Sequence, residues 1–225
     1  MSQEDLNCSL VGVCDLFDVR AEQGLDASQN EVRPGGKPKK TATRYRHYKD
    51  LLANDDIDAV IIATPDHWHS RITIDAAKAG KHVYCEKGLT RTFDEAIALH
   101  DIVKETGITF QLGHQNRQVE ANEKAKQIIR QGLLGKINLV ELATNRNSPW
   151  GAWVWNIHPK GNAKTIDWDT FQEPSPTKFP FGEEALILFF RWLFWFYSCT
   201  CLSCVLLSHD FVSIIPFPLP LRTSS

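Results

Sequence analysis

The feature that most restricts the fold of this chain is the segment DAVIIATP at residues 58–65. Its centre is a continuous run of apolar, mostly β-branched side chains, without the alternation of polar and apolar residues that a half-exposed strand shows. Such a run is typical of a strand that is buried on both faces in a parallel sheet. This segment alone therefore favours a fold in which helices cover a parallel sheet.

The rest of the first 145 residues repeats this pattern of short apolar runs separated by helical segments. The further predicted strands are LVGVCDL (10–16), HVYCEK (82–87), TFQLG (109–113) and KINLVELAT (136–144), and the predicted helices cover 48–54, 71–79, 93–106 and 119–131. The segment EVRPGGKPKKTATR (31–44) is rich in Pro, Gly and Lys and is predicted to be an exposed loop. Strands that alternate with helices predict βαβ units and the α/β class.

The helix over 93–106 has the clearest boundaries. Thr92 and Glu95 have the spacing of a capping box, and Gly107 follows the last residue of the apolar pattern. Gly80 stands at the corresponding position after the helix over 71–79.

Charge and cysteine content exclude several classes of protein. The 225 residues contain 25 Lys and Arg against 27 Asp and Glu, a net charge of -2, so no basic excess predicts nucleic-acid binding. Six cysteines in a chain of this length do not predict a disulfide framework. The first ten residues, MSQEDLNCSL, lack the charged and apolar regions of a signal peptide, so we expect a cytoplasmic protein.

The composition changes abruptly near residue 182. Residues 182–225 contain only five of the 52 charged side chains, and Arg191 is the only charge in 185–207. That length would allow a membrane-spanning helix of roughly 20 apolar residues. An aberrant apolar, Pro-rich tail over 211–225 is the other interpretation. Cys199, Cys201 and Cys204 lie in this apolar setting, where buried or lipid-facing thiols are favoured over a metal site.

Polar side chains follow several of the predicted strands, and ligands of open parallel sheets bind at the carboxyl ends of the strands. Asp15 ends the first strand, where a carboxylate can bind the hydroxyls of an adenosine ribose or act as a solvated acid or helix cap. His67 and His69 favour contact with a small molecule over a metal, because two histidines without a full set of ligands make a poor metal site. Lys87 is either a charge beside a substrate oxygen or an ordinary surface lysine. Trp150, Trp153 and Trp155 either form a platform that binds a sugar or pack in the core or an interface.

Taken in order, the motifs resemble the Gfo/Idh/MocA oxidoreductases, the family of glucose–fructose oxidoreductase and inositol dehydrogenase. The resemblance rests on seven blocks in the family's order: VCDLFD (13–18), DAVIIATPDHWH (58–69), GKHVYCEKGLTRT (80–92), GHQNR (113–117), KTIDWDTF (164–171), FFRW (189–192) and LLSHD (206–210). It implies a Rossmann domain that binds NAD (NADP being less favoured), followed by an α/β domain that binds a sugar-like substrate. In the family that second domain also mediates contacts within a homo-oligomer.

The resemblance also assigns roles to individual residues. It implies cofactor binding by Asp15, Thr64, Pro65, Asp66, His69, Glu86, Lys87 and Gln115, catalysis by Lys87 and His209, and no metal. Lys87 would lie by the nicotinamide and the substrate, and His209 would act as general acid/base in a hydride transfer from a sugar-like carbinol carbon. Asp15 would favour NAD by repelling a 2′-phosphate.

The sequence departs from the family pattern at three places. It contains no G-x-G-x-x-G turn and opens at the family's second strand, so the central strand of the order 3-2-1-4-5-6 and the phosphate site are missing and the sheet is not expected to close. Gly88 replaces the proline that follows the Glu-Lys pair, and Val205 stands where an aspartate precedes His209.

The sequence therefore predicts an incomplete Rossmann-like domain over 1–117, a partial substrate domain over 118–210 and the apolar tail. The function predicted is an NAD(P)-dependent oxidoreductase acting on sugar or polyol hydroxyls, with impaired activity in this chain. Two alternatives are a non-catalytic binding protein of the same fold and a membrane-tethered form anchored by 185–207.

Overall fold

The computed structural model of this chain describes residues 8–29, 42–139, 156–175, 178–183, 185, 186 and 189. The strands are β1 (Gly12–Cys14), β2 (Thr43–Tyr45), β3 (Ala59–Ile62), β4 (His82–Glu86) and β5 (Phe110–Gly113). The helices are α1 (Asp18–Gln29), α2 (Tyr48–Leu52), α3 (His69–Lys78), α4 (Phe93–Thr106), α5 (Glu120–Arg130) and α6 (Trp168–Phe171), and 3₁₀ turns cover Asp66–Trp68 and Gln115–Gln118.

All strand pairs named here are parallel, as the apolar run over 58–65 predicts. Strand β1 pairs with β2, and β4 lies between β3 and β5. Strands alternate with helices along the chain, and the α/β class with a parallel Rossmann-like arrangement is confirmed.

The sheet is divided into two parts, β2–β1 and β3–β4–β5. The Rossmann order 3-2-1-4-5-6 places one more strand between the positions that β1 and β3 occupy here, and no described residue fills that place. Ile61 in the middle of β3 is 76% exposed, which marks the face of β3 opposite α3 as uncovered by the described residues.

One apolar core holds the two parts together. Buried side chains of α2, β3, the 3₁₀ turn Asp66–Trp68, α3 and β4 form it: Tyr48, Leu52, Ile62, Trp68, Ile72, Ala76, Val83 and Cys85. Cys14 of β1 packs against the same cluster. Helix α2 therefore connects the β1–β2 pair to the three-stranded sheet through side-chain packing, without a shared hydrogen-bonded ladder.

A second core lies where the β1–α1 turn meets the later part of the chain. It consists of Phe17, Ile166, Trp168, Phe171, Ala185 and Phe189. The backbone closes the contact, because Phe17 and Ile166 form an antiparallel bridge and Asp18 N–H donates to Thr165 O at 2.9 Å. Residues 156–175 are thus packed onto the Rossmann-like part, and the division into domains at 117 and 210 stays a prediction.

Several local predictions are confirmed by the helix ends. Helix α4 spans the predicted residues, with Thr92 Oγ1 accepting from Glu95 N–H at 3.2 Å and Gly107 at a φ of +66°. Gly80 follows α3 with a φ of +72°. The second half of the capping box was wrong, because the Glu95 carboxylate accepts from Arg91 N–H at 2.7 Å and not from Thr92.

Three sequence predictions need correction or lie partly outside the described residues. The predicted loop over 31–44 ends early, because Thr43 and Arg44 belong to β2, which the sequence did not predict. Residues 136–139 of the predicted strand over 136–144 are irregular, and 140–144 lie outside the described residues. Helix α1 was not predicted at all. In the part of the chain that is described, no helix has both the length and the apolar character to cross a membrane; most of 185–207 lies beyond that part.

Candidate functional site

The parallel registers bring most predicted site residues to one edge of the sheet. Ile62 pairs with Cys85, and Glu86 pairs with Gly113, so the chain leaves β3, β4 and β5 on the same side. The loops that follow carry Thr64, Pro65 and Asp66 after β3, Glu86 and Lys87 at the end of β4, and Gln115 after β5. This edge is the usual ligand side of an open parallel sheet.

Asp15 lies directly after β1, where the sequence placed it. Its Oδ1 accepts from Phe17 N–H at 2.8 Å. Burial raises the pKa of the Asp15 carboxyl, while the Phe17 N–H and the charges of Arg20 and Arg44 oppose that shift. One carboxylate oxygen is thus fixed by the backbone of the turn after β1.

A second acid, Asp18, lies at the first turn of α1 and holds two arginines. Its Oδ1 accepts hydrogen bonds from the guanidinium groups of Arg44 and Arg46, the latter at 3.0 Å. These bonds lower the pKa of the Asp18 carboxyl, and the bond from Arg44 has the largest effect. Sequence analysis missed this group; the signal was the alternation of Arg44 and Arg46, which places both side chains on one face of a strand.

The loop after β3 holds its histidines inside the protein. His67 Nε2 and Trp68 Nε1 both donate to Phe171 O, at 2.9 and 3.0 Å, and thereby join this loop to the segment around α6. Burial lowers the pKa of His67 to about 3, and the positive charges of Arg91 and His69 add to the shift. His69 is 1% exposed, and both of its ring nitrogens contact backbone oxygens.

The end of β4 presents a carboxylate that a neighbouring tyrosine orients. Tyr84 Oη donates to Glu86 Oε1 at 3.0 Å. The tyrosine ring reaches this position across Gly113 of β5, where a β-carbon would lie 2.5 Å from Tyr84 Oη. A larger residue at 113 would therefore displace the tyrosine that orients Glu86. Lys87 follows at the same edge.

The other candidate residues from the sequence lie outside the part of the chain that the structure describes. These are His209, the three cysteines at 199–204 and the tryptophans at 150–155. No cluster of three His, Cys, Asp or Glu side chains suited to a metal ion occurs within the described ranges. A cleft of about 410 Å³ opens beside Arg46 among residues 163–169 and 179–181, and it is lined by none of the predicted site residues.

Two comparisons with known proteins agree with this geometry. The family model "Oxidoreductase family, NAD-binding Rossmann fold" (Gfo/Idh/MocA) matches residues 4–114. Levoglucosan dehydrogenase of Pseudarthrobacter phenanthrenivorans is 41% identical over 90 residues, which are 40% of this chain and 23% of that protein. The 2,7-anhydro-N-acetylneuraminate hydratase of Escherichia coli is 34% identical over 97 residues, 43% of this chain and 26% of that protein.

The matched segments are short compared with the relatives. The chain spans about a quarter of the length of these two proteins. A solved structure of myo-inositol 2-dehydrogenase from Lactobacillus plantarum has 31% sequence identity and a TM-score of 0.48, covering 58% of this chain and 36% of that one. The family match shows that the chain belongs to the Gfo/Idh/MocA oxidoreductases, and residues 4–114 are its NAD-binding Rossmann part.

Proposed function

We propose that this chain is an NAD-dependent oxidoreductase that transfers a hydride between the nicotinamide and a hydroxyl-bearing carbon of a sugar or polyol. The observation that carries the proposal is the Asp15 carboxylate at the end of β1, with Oδ1 held by Phe17 N–H. A partly buried carboxylate at this place accepts hydrogen bonds from ribose hydroxyls and disfavours a 2′-phosphate. The names of the relatives support a carbohydrate substrate.

The other strand-end residues fit a nucleotide that lies along this edge. Buried Thr64 Oγ1 has no hydrogen-bond partner among the described residues, which suits a donor or acceptor that a ligand satisfies. We assign cofactor contacts to Thr64, Pro65, Asp66 and Glu86, and also to His69 and Gln115 through the backbone of their loops. The 225 residues contain no G-x-G-x-x-G turn to hold a pyrophosphate, so we expect weak binding and impaired turnover.

The chemistry divides between the cofactor and two side chains. A bound nicotinamide supplies the hydride acceptor at C4. The Lys87 ammonium would hold the substrate oxygen in place, and His209 would accept the proton of the substrate hydroxyl.

Replacing Asp15 by alanine tests the nucleotide site. We expect the affinity for NADH to fall about tenfold in Asp15→Ala, because the two charge-assisted hydrogen bonds to the ribose are lost. Calorimetric titration with NADH measures the change, and Asp26→Ala, an exposed acid of α1, is the matched control. Equal affinities of wild type and Asp15→Ala would refute the role of Asp15.

The arginines held by Asp18 give a prediction about cofactor choice. In Asp18→Asn the guanidinium groups of Arg44 and Arg46 lose their anionic partner and become available to a 2′-phosphate. We expect the affinity for NADPH relative to NADH to rise about tenfold. Parallel titrations with both nucleotides measure the ratio, with the exposed Asp55→Asn as control. An unchanged ratio would show that these arginines do not face the ribose.

Lys87 is expected to act on turnover more than on binding. We expect Lys87→Ala to lower the rate of NADH formation from levoglucosan or myo-inositol by roughly a hundredfold or more, since the charge that orients the substrate oxygen is lost. Nicotinamide absorbance measures the rate, and Lys104→Ala in α4 is the control. A non-catalytic binding protein of the same fold would show no turnover in wild type. Its affinity for a sugar would be the same in wild type, Asp15→Ala and Lys87→Ala.

A further inference from the structure

His69 contacts two backbone carbonyl groups that belong to different loops. Its Nε2 lies 2.7 Å from Thr64 O, in the loop after β3, and its Nδ1 lies 2.9 Å from Gly88 O, in the loop after β4. The side chain is 1% exposed, so water does not compete for either nitrogen. We refer to this pair of contacts as the His69 bridge.

The chemistry of the two partners fixes the protons of the imidazole. A carbonyl oxygen only accepts hydrogen bonds, so each ring nitrogen must donate to satisfy the geometry. A neutral imidazole carries one N–H and would place the lone pair of its other nitrogen against a carbonyl oxygen. Two hydrogen bonds donated by a protonated ring avoid that repulsion.

The position of the bridge relates it to the proposed nucleotide site. Thr64 opens the loop that contains Pro65 and Asp66, and Gly88 directly follows Lys87. We propose that His69 is a doubly protonated positioning residue, which joins the loops after β3 and β4 and thereby holds the residues of both loops at the ligand edge of the sheet. The role at a nucleotide rests on the proposed function, whereas the bridge itself does not.

The same bridge gives a reason for glycine at position 88. The residue contributes its carbonyl to His69, and the bridge restrains the backbone after Lys87 from outside the loop. Proline at position 88 would make this backbone rigid through its fixed φ. The contact with the His69 ring can replace part of that rigidity. The protein thus holds Lys87 through a histidine that is 18 residues away in sequence and close in space.

The first test needs no nucleotide. In the full chain labelled with ¹⁵N-histidine, long-range proton–nitrogen spectra near neutral pH are expected to show both nitrogens of His69 in the protonated range, its signals being identified by their loss in His69→Gln. A single protonated nitrogen on His69 would overturn the proposal. Where His69→Gln fails to fold, sequential assignment of the wild-type chain identifies the same signals, so the measurement still decides.

The second test separates positioning from general stability. In His69→Gln, whose amide group can donate to only one of the two carbonyls, we expect faster amide hydrogen exchange in residues 64–66 and 86–88, with the protection of α4 unchanged. The control is His100→Gln, an exposed position on α4. Uniformly faster exchange across the domain would indicate a merely structural histidine and overturn the proposal.

The third test connects the bridge to the nucleotide. NADH affinity is expected to fall about tenfold in His69→Gln and to stay unchanged in His100→Gln. If wild type binds no NADH, the proposed function fails, while the ¹⁵N spectra and the exchange of the two loops still decide the bridge. If wild type binds NADH and His69→Gln binds it equally well, the positioning role is wrong.

Discussion

Replacing Phe17 by alanine is expected to lower the free energy of unfolding by about 3–5 kcal/mol, the range for truncating a buried aromatic side chain. Phe17 is 1% exposed, and its ring lies edge-on to His158 at 5.4 Å and to Phe189 at 6.2 Å between ring centroids. The change leaves a cavity in the core that joins the β1–α1 turn to the later part of the chain. Denaturant unfolding with an unchanged slope measures the loss.

A matched pair of variants makes this prediction specific. Phe93 is 79% exposed at the start of α4, so Phe93→Ala is expected to change stability by no more than about 0.5 kcal/mol. Phe17→Leu, which preserves most of the buried volume, is expected to cost under about 1.5 kcal/mol. If Phe17→Ala and Phe93→Ala unfold at the same denaturant concentration, the packing of residues 156–175 onto the turn after Asp15 is wrong.

The same core has a consequence for the site. Phe17 N–H fixes Asp15 Oδ1, and Asp18 N–H bonds to Thr165 O on the other side of the phenylalanine. The ring therefore anchors the turn that carries both acids. Loss of the ring should reduce NADH affinity in addition to stability, whereas Asp15→Ala should reduce affinity with little change in unfolding.

The parts of the fold that the sequence predicts well are those whose causes are local. Helix α4 was predicted to the residue, because Thr92 and Gly107 determine its two ends through the adjacent backbone. Strand β3 was predicted from its unbroken apolar run, although the burial on both faces that such a run indicates is not reached among the described residues, where Ile61 is 76% exposed. In contrast, α1 has only Ala21 and Ser28 buried and contains Gly24, so neither periodicity nor propensity marks it as a helix.

The candidate site was predicted as a set of positions, and its internal contacts were not. Strand ends are visible in the sequence, and the parallel registers then bring Thr64, Glu86 and Gln115 to one edge. The contact of His69 with Gly88 O and that of Asp18 with Arg44 join residues 19 and 26 positions apart. Such contacts depend on how the loops pack, and no local pattern of residue types encodes them.

Acid is expected to destabilise the protein through His67. Burial lowers its folded-state pKa to about 3, whereas in the unfolded chain the histidine titrates near its ordinary pKa of 6.5. Between these values the unfolded chain binds a proton that the folded protein excludes, so stability is present above the unfolded pKa and is lost as pH falls. From about pH 6 to about pH 4 the loss due to this group should reach roughly 2–3 kcal/mol.

The contribution of His67 is isolated by a variant that retains its hydrogen bond. In His67→Gln the amide N–H can still donate to Phe171 O, but the side chain does not titrate, so the fall in stability over the same pH range should be smaller by those 2–3 kcal/mol. His100→Gln, at an exposed position, should follow wild type. The lowered pKa of Asp18 acts in the same direction but only as pH falls below about 4, because its stabilisation is complete above the unfolded value. Parallel stability curves for wild type and His67→Gln would show that His67 is not buried in its neutral form, and the contact of the loop after β3 with Phe171 would then have to be abandoned.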